Sequence, residues 1–255
     1  MRITVFSDVH GNPYACQAVL QAIFNDDPSD TVVAAGDICL GGSDPAACVE
    51  LLRANGVVGV YGNTEGYLFQ PEQMPPDEQH RSMWHRIQPV AYWVRKRLAE
   101  DQMEWLQTLP FELRFSPTAN SKDDLLVVHA NPKDVELMIY PQEIEQRNLW
   151  DQVRQPDDDP DLRNVLFGTT AGVIAFGHFH YSFQRTWDDL LLVDVAPCSM
   201  PTIDHDPRAR YSVFTWDGND WQITRHWVEY NVEKEIAALE SSDMPYKGDF
   251  ISTFM

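Results

Sequence analysis

A chain of 255 residues with 44% hydrophobic content can bury a sizeable core, as one large domain or as one domain with an insertion. Its formal charge of -20 excludes a nucleic-acid duplex as a natural partner, because such affinity rests on Lys and Arg neutralising phosphates; a phosphate-bearing substrate must be drawn in locally, by bound cations. Its apolar runs are far shorter than a membrane span and its start moves straight into a strand-like segment with no signal-peptide pattern, so no membrane is expected and the expected location is cytoplasmic.

In chain order, residues 2–7 read as a first strand, and the loop after it carries Asp8, His10 and Asn12. Residues 13–24 place Cys16, Val19, Leu20, Ile23 and Phe24 at helical spacing, which predicts an amphipathic helix covering the sheet. A second strand over Thr31–Ala35 ends in Gly36-Asp37, and a helix follows from about Pro45, capped by Asp44. A third strand over residues 57–61 ends in Gly62-Asn63-Thr64-Glu65.

From 66 to 109 the composition shifts toward Gln, Glu, Met, Trp and Arg, with Pro71, Pro75 and Pro76 breaking its first part. Helices are expected over 90–98 and 101–109, and the whole reads as a helical insertion beside the site. His80, Arg81, Trp84 and His85 are read first as ordinary packed or solvated side chains. Trp84, Tyr92, Trp93 and Trp105 are aromatic enough to stack on a nucleobase or to make a homo-oligomer contact, with packing inside the insertion as the plainer use.

Residues 125–128 form another strand, ended by His129 and the turn Ala130-Asn131-Pro132. A polar helix is expected over 141–154. The acidic run from Asp157 to Asp161 lacks the glycine and the terminal glutamate of a calcium loop, so it reads as a solvated helix start. Strands follow over Val173–Phe176, 190–195, 210–216 and 221–230, with a hairpin turn at residues 217–220 and a closing helix over 232–239. The four cysteines, Cys16, Cys39, Cys48 and Cys198, show no CxxC spacing and read as small buried hydrophobes.

Five of the strands end in polar, metal-competent residues: Asp8 and His10, Asp37, Asn63, His129, and Gly177-His178-Phe179-His180. A single His-x-His usually means two solvated rings. In an open α/β sheet, however, ligands bind beyond the carboxyl ends of the strands, so groups far apart in sequence can converge there. The turn that Gly177 permits is expected to break the strand alternation, so that His178 and His180 reach one site.

The set Asp8-x-His10, Gly36-Asp37, Gly62-Asn63, His129 and Gly177-His178-x-His180 resembles the calcineurin-like metallophosphoesterases over nearly the whole chain. That resemblance implies a four-layer α/β/β/α sandwich of two mixed sheets, and two divalent transition metals at the sheet edge. Carried over, Asp8, His10, Asp37 and His180 would hold one metal, and Asp37, Asn63, His129 and His178 the other, with Asp37 bridging. Manganese is the first choice, and Fe, Co, Ni and Zn suit the same donors. The implied chemistry is attack on phosphorus by a hydroxide that the metals share, with Asp37, Asn63 and His178 at the reacting centre. Asn12, Asn63 and Arg208 are read as contacts to a small phosphorylated substrate such as a nucleotide.

Where many members of the family carry a histidine after Gly-Asn, this chain has Thr64, whose hydroxyl is no acid near neutral pH. A substrate whose leaving group needs little protonation, such as an aryl phosphodiester or a nucleotide anhydride, is therefore expected. Glu65 and His205 are the residues that could supply a proton instead, each read first as structural or solvated. The segments Ala196-Pro197-Cys198-Ser199 and Asp206-Pro207-Arg208-Ala209 resemble a bacterial phosphodiesterase subgroup, although its usual Asn-Pro-Gly-Ser is altered. A phosphoprotein or phosphomonoester phosphatase would use the same metals, and a non-enzymatic metal-binding scaffold is the third reading.

Overall fold

The computed structural model describes residues 1–26, 28–71 and 78–255, with the backbone alone at residue 26 and at 78–83. Pro75 and Pro76, and the side chains of His80 and Arg81, lie outside the described residues. In chain order the elements are β1 (Arg2–Phe6), α1 (Pro13–Asp26), β2 (Thr31–Ala35), α2 (Pro45–Ala54), β3 (Val58–Val60), α3 (Asn63–Phe69), α4 (Glu78–Arg95), α5 (Glu100–Gln107) and β4 (Leu113–Phe115). There follow β5 (Leu125–Val127), α6 (Glu143–Trp150), α7 (Pro160–Leu166), β6 (Val173–Phe176), β7 (Gln184–Trp187), β8 (Leu190–Asp194), β9 (Ala209–Trp216), β10 (Trp221–Val228), α8 (Val232–Ser241) and α9 (Lys247–Ile251).

The strands form two five-stranded sheets, ordered β10-β9-β1-β2-β3 and β4-β5-β6-β8-β7. Both are mixed. In the first, β1, β2 and β3 run parallel and β9 is antiparallel to β1; in the second, β5, β6 and β8 run parallel, with β4 and β7 antiparallel on the edges.

Alternation along the strands makes the layers. Ile3 and Val5 of β1, Val33 and Ala35 of β2, Leu125 and Val127 of β5, and Val173 and Ala175 of β6 all point into one core between the sheets. Their neighbours point outward. Phe6, Val32 and Ala34 pack under helices through Leu20, Leu52, Val94 and Leu106, while Leu126, Ile174 and Phe176 pack against Leu162, Val165 and Leu166 of α7. The result is the expected helix, sheet, sheet, helix order.

Several local expectations are realised by side-chain hydrogen bonds. Asp44 caps α2 by accepting from Ala47 N at 3.0 Å, and the acidic run does start a helix, with Asp159 accepting from Asp161 N and Leu162 N ahead of Pro160. Asp217 closes the β9–β10 hairpin by accepting from Asn219 N and Asp220 N. All four cysteines are buried and unpaired.

Other elements differ from expectation. The strands β4 and β7 sit on sheet edges with half-exposed patterns, so their short runs carry little apolar signal. The helix expected over 90–98 begins at Glu78 and carries Pro89 inside it, and the helix expected over 141–154 ends at Trp150. Residues 63–65, expected only as the end of the third strand, open the helix α3 behind Gly62. Among the described residues no helix is long and apolar enough to cross a membrane.

Candidate metal centre

The carboxyl ends of β1, β2 and β3 in one sheet and of β5 and β6 in the other meet at one rim of the sandwich. Asp8, His10, Asp37, His178 and His180 all adopt left-handed backbone, with φ of 58°, 51°, 54°, 69° and 59°. Such φ is uncommon outside glycine and costs of order 1–3 kcal/mol per residue. Here it turns successive side chains toward the same point where a strand would send them to opposite faces.

The turns are held in place by each other. Asp8 N donates to Gly36 O, His10 N to Asp37 O at 2.9 Å, and Gly177 N to His129 O at 2.8 Å. Gly177 serves differently from expectation, because His178 and His180 carry the left-handed turns themselves. Its need is space: a Cβ there would stand 2.1 Å from Ser7 Oγ and 2.4 Å from Asp8 Oδ2. Gly62 is constrained in the same way, 2.2 Å from Asp37 Oδ1.

Two clusters result, Asp8-His10-His180 and Asp37-His129-His178, each with ligand atoms close enough to share one ion. In the first, His10 Nε2 and His180 Nε2 are 3.0 Å apart, and Asp8 Oδ1 lies 3.3 Å from His180 Nε2. In the second, His129 Nε2 and His178 Nδ1 are 3.2 Å apart, and Asp37 Oδ1 lies 3.4 Å from His129 Nε2. Asp37 Oδ2 reaches toward the first cluster, 3.7 Å from His10 Nε2. One carboxylate thus faces both.

The donor set fits divalent cations. Every ring nitrogen that points away from the centre meets a backbone carbonyl: His10 Nδ1 at Leu40, His129 Nδ1 at Ala35, His178 Nε2 at Glu136 and His180 Nδ1 at Met200, all at 2.6–2.9 Å. Each carbonyl takes one ring proton, so that the other nitrogen of each ring faces inward and offers a lone pair wherever that ring is neutral. Asp8 Oδ1 is buried without a hydrogen-bond partner. One end of the Asn63 amide stands 2.9 Å from His129 Nε2 and 3.2 Å from His178 Nδ1 and both Asp37 oxygens. An NH2 there can donate to two of these acceptors, and an amide oxygen there is satisfied by a proton on His129 or by a cation shared among them. Carboxylate, imidazole and amide donors suit the transition metals named above.

The electrostatics agree. Burial, reinforced by His180 and His129 respectively, pushes His10 down to about 4 and His178 down to about 3, so both rings are neutral ligands at neutral pH. Burial also disfavours charge on His129 and His180, but Asp37 beside the first and Asp8 beside both reverse it and hold these rings above the ordinary imidazole value. Cations bound here displace those protons.

Around the centre runs a cleft of about 520 Å³, lined among others by His10, Asp37, Asn63, His178 and His180. Asn12 does not line it. It is fully buried, its Oδ1 accepting from Ala15 N at the start of α1 and its Nδ2 donating to Ser199 Oγ and Tyr230 OH. Arg208 is absent from the lining too, its guanidinium spent bidentately on Asp206. Among the described lining residues the one Lys or Arg is Arg154, stacked on Trp150 at 4.5 Å, which nothing in the sequence marked out. Tyr67, whose hydroxyl donates to Glu136 Oε1 at 2.9 Å, also lines the cleft and was not anticipated.

Thr64 lines the cleft where the family histidine would stand. Glu65 is fully buried, with Oε2 accepting from Gly62 N and Asp37 N and Oε1 from Ile38 N. It ties the second and third strand ends together and faces no substrate. His205 is exposed and lies outside the lining.

A family model described as calcineurin-like phosphoesterase matches residues 1–182. The Methanocaldococcus jannaschii protein MJ0912 is 25% identical over 95% of this chain and 93% of its own. Among solved structures, a metallophosphoesterase from Sphaerobacter thermophilus superposes with a TM-score of 0.68 at 23% identity, covering 100% of this chain and 98% of that one. The Pyrococcus horikoshii protein PH1004 superposes with a TM-score of 0.72 at 13% identity, covering 99% and 97%. A structure solved as a candidate diadenosine tetraphosphatase gives 0.53 at 19% identity, covering 89% and 94%.

Proposed function

The chain belongs to the calcineurin-like phosphoesterases, which are metal-dependent phosphoric ester hydrolases, and from that premise we propose that it hydrolyses phosphodiester or nucleotide phosphoanhydride bonds with two manganese ions. The observation that carries this reading is the convergence of four imidazole nitrogens on two buried carboxylates, one of which faces both clusters. Asp8, His10 and His180 would hold one cation and His129, His178 and Asn63 the other, with Asp37 serving both. Bound there, the two cations would supply an activated water and offset charge on the phosphoryl oxygens.

The chain's own residues set the rest. Asn63, half-buried at the cleft edge, is the position from which a side chain can orient a phosphoryl oxygen. Arg154 takes the phosphate-contacting role expected of Arg208. With Thr64 in place of an acid, Glu65 locked by three backbone N–H groups, and His205 outside the cleft, the site favours substrates whose leaving group departs without a proton. That separates aryl diesters and anhydrides from alkyl esters. Residues 1–255 would form one phosphoesterase unit, with the helical segment at 66–109 inserted as one wall of its cleft.

The test is metal-stripped protein reconstituted with manganese and assayed in parallel on an aryl phosphodiester, an aryl phosphomonoester and a dinucleoside tetraphosphate, with Asp37→Asn as the control. Cleavage of the diester or the anhydride ahead of the monoester is the expected result. Preference for the monoester would replace this reading with a phosphatase, and binding of two metals with no hydrolysis at all would leave a scaffold.

A further inference from the structure

A second cavity of about 510 Å³ opens beside the metal cleft. The two share Asn63, Tyr67 and Glu136, so whatever occupies one abuts the other. Its walls come from α3, α4 and α5. Tyr61, Tyr67 and Phe69 are half-buried and keep ring area toward the space, and Trp84, only 3% exposed, backs Tyr67 edge-on at 5.5 Å. Leu106 and Leu109 supply apolar floor. Among the described lining residues there is no Lys or Arg, and Glu136 stands at the shared boundary.

Those features select the occupant. A flexible polar chain gains nothing from three aromatic faces, and among the described lining residues no Lys or Arg stands ready for a second phosphate. A flat, uncharged aromatic group gains from all of them, and the exposed amides of Gln70 and Gln107 at the rim can each donate to and accept from its edge. The volume lies in the range of cavities that enclose small organic ligands.

We infer that this cavity is the subsite for an aromatic ring carried by the substrate next to its metal-bound phosphate, a nucleobase in biological form. The substrate is then a nucleoside phosphodiester or anhydride, an inference that rests on the phosphoesterase reading above. Of the aromatic residues in the helical segment, Tyr67 and Phe69 face this task with Trp84 behind Tyr67, whereas Trp93 lies outside the lining and its Nε1 donates to Asp243 Oδ1 at 2.7 Å.

Gly66 offers a direct way to block the subsite. It lies within α3 on the cavity wall, and a Cβ added there meets nothing of the described residues within 4 Å, so a large side chain fits there without displacing their backbone. The affinities of thymidine monophosphate and of methyl phosphate for the manganese-loaded full chain, measured by calorimetry, should differ by tenfold or more in favour of the nucleotide. Gly66→Phe should bring the two affinities together, and Phe69→Ala, which removes a ring instead of filling the space, should narrow the same gap. Equal affinities in the unaltered chain, or a gap untouched by both variants, overturns the subsite. Turnover of the para-nitrophenyl diester of thymidine monophosphate separates the two ideas: a binding gap without turnover sinks the phosphodiesterase and keeps the subsite, and turnover without a gap does the reverse.

Discussion

The floor of the cleft and its helical wall are built on opposite terms. The floor is backbone-limited: five of its side chains sit on left-handed residues, and glycines fit where a methyl group would strike a ligand atom. The wall is side-chain-limited, made of rings and leucines on helices whose backbone would carry other residues equally well. Geometry that must hold cations within tenths of an ångström tolerates no repacking, whereas a surface that accepts a flat ring tolerates a good deal.

The sharpest way to break this contrast is at Gly177. Gly177→Ala puts a methyl group on Ser7 Oγ and Asp8 Oδ2, and manganese affinity by calorimetry should fall by about 100-fold or more. Unchanged affinity would mean that the floor yields as readily as the wall. Glu65→Gln comes next. The carboxylate accepts from three backbone N–H groups, and an amide offers one oxygen and turns an NH2 toward donors. Metal affinity and turnover should drop by about 10–100-fold. The protein should stay folded by circular dichroism.

A smaller effect tests the helical layer behind the floor. On α8, Glu235 accepts from Ser43 N and Ser43 Oγ, and burial pushes its carboxyl from the ordinary 4.5 up to about 7. A raised acid is favoured in its protonated form by the fold. Its contribution is therefore complete below about pH 4.5 and is lost as pH rises through 7, which amounts to about 3 kcal/mol between pH 5 and 8. Denaturant melts across that range should show the loss, and Glu235→Gln should flatten it. The smallest effect belongs to the wall. Gly66→Ala, with open space at its Cβ, should raise stability by about 0.5–1 kcal/mol by stiffening α3. A decrease in the melting temperature would mean that this helix does not tolerate a side chain there.

The floor was legible because its requirements are local and chemical. Short apolar runs that end in Asp8, Asp37, Asn63, His129 and His178 declare both the strand and the ligand, and two periodicities suffice to put those ends on one side. The wall was not legible. Tyr61, Phe69, Trp84 and Leu106 look like packing residues in any helical segment, and only the docking of three helices decides that some of their surface stays open.

The same division runs through the candidate contacts. By itself the sequence determined most of the strands, the residue types at the centre and the threonine in place of an acid, because period, turn chemistry and donor type are written one residue at a time. The division into two sheets came only with the family resemblance. Only the tertiary structure decided that Asn12 is consumed as a helix cap, that Arg208 is spent on Asp206 while Arg154 reaches the cleft, and that Glu65 braces two strand ends. The places of Arg154 and Glu65 depend on segments distant in the chain, which leave no mark in the local pattern. The Asn12 cap and the Arg208–Asp206 pair are local contacts that compete with a substrate role and win only once the fold has set the cleft elsewhere.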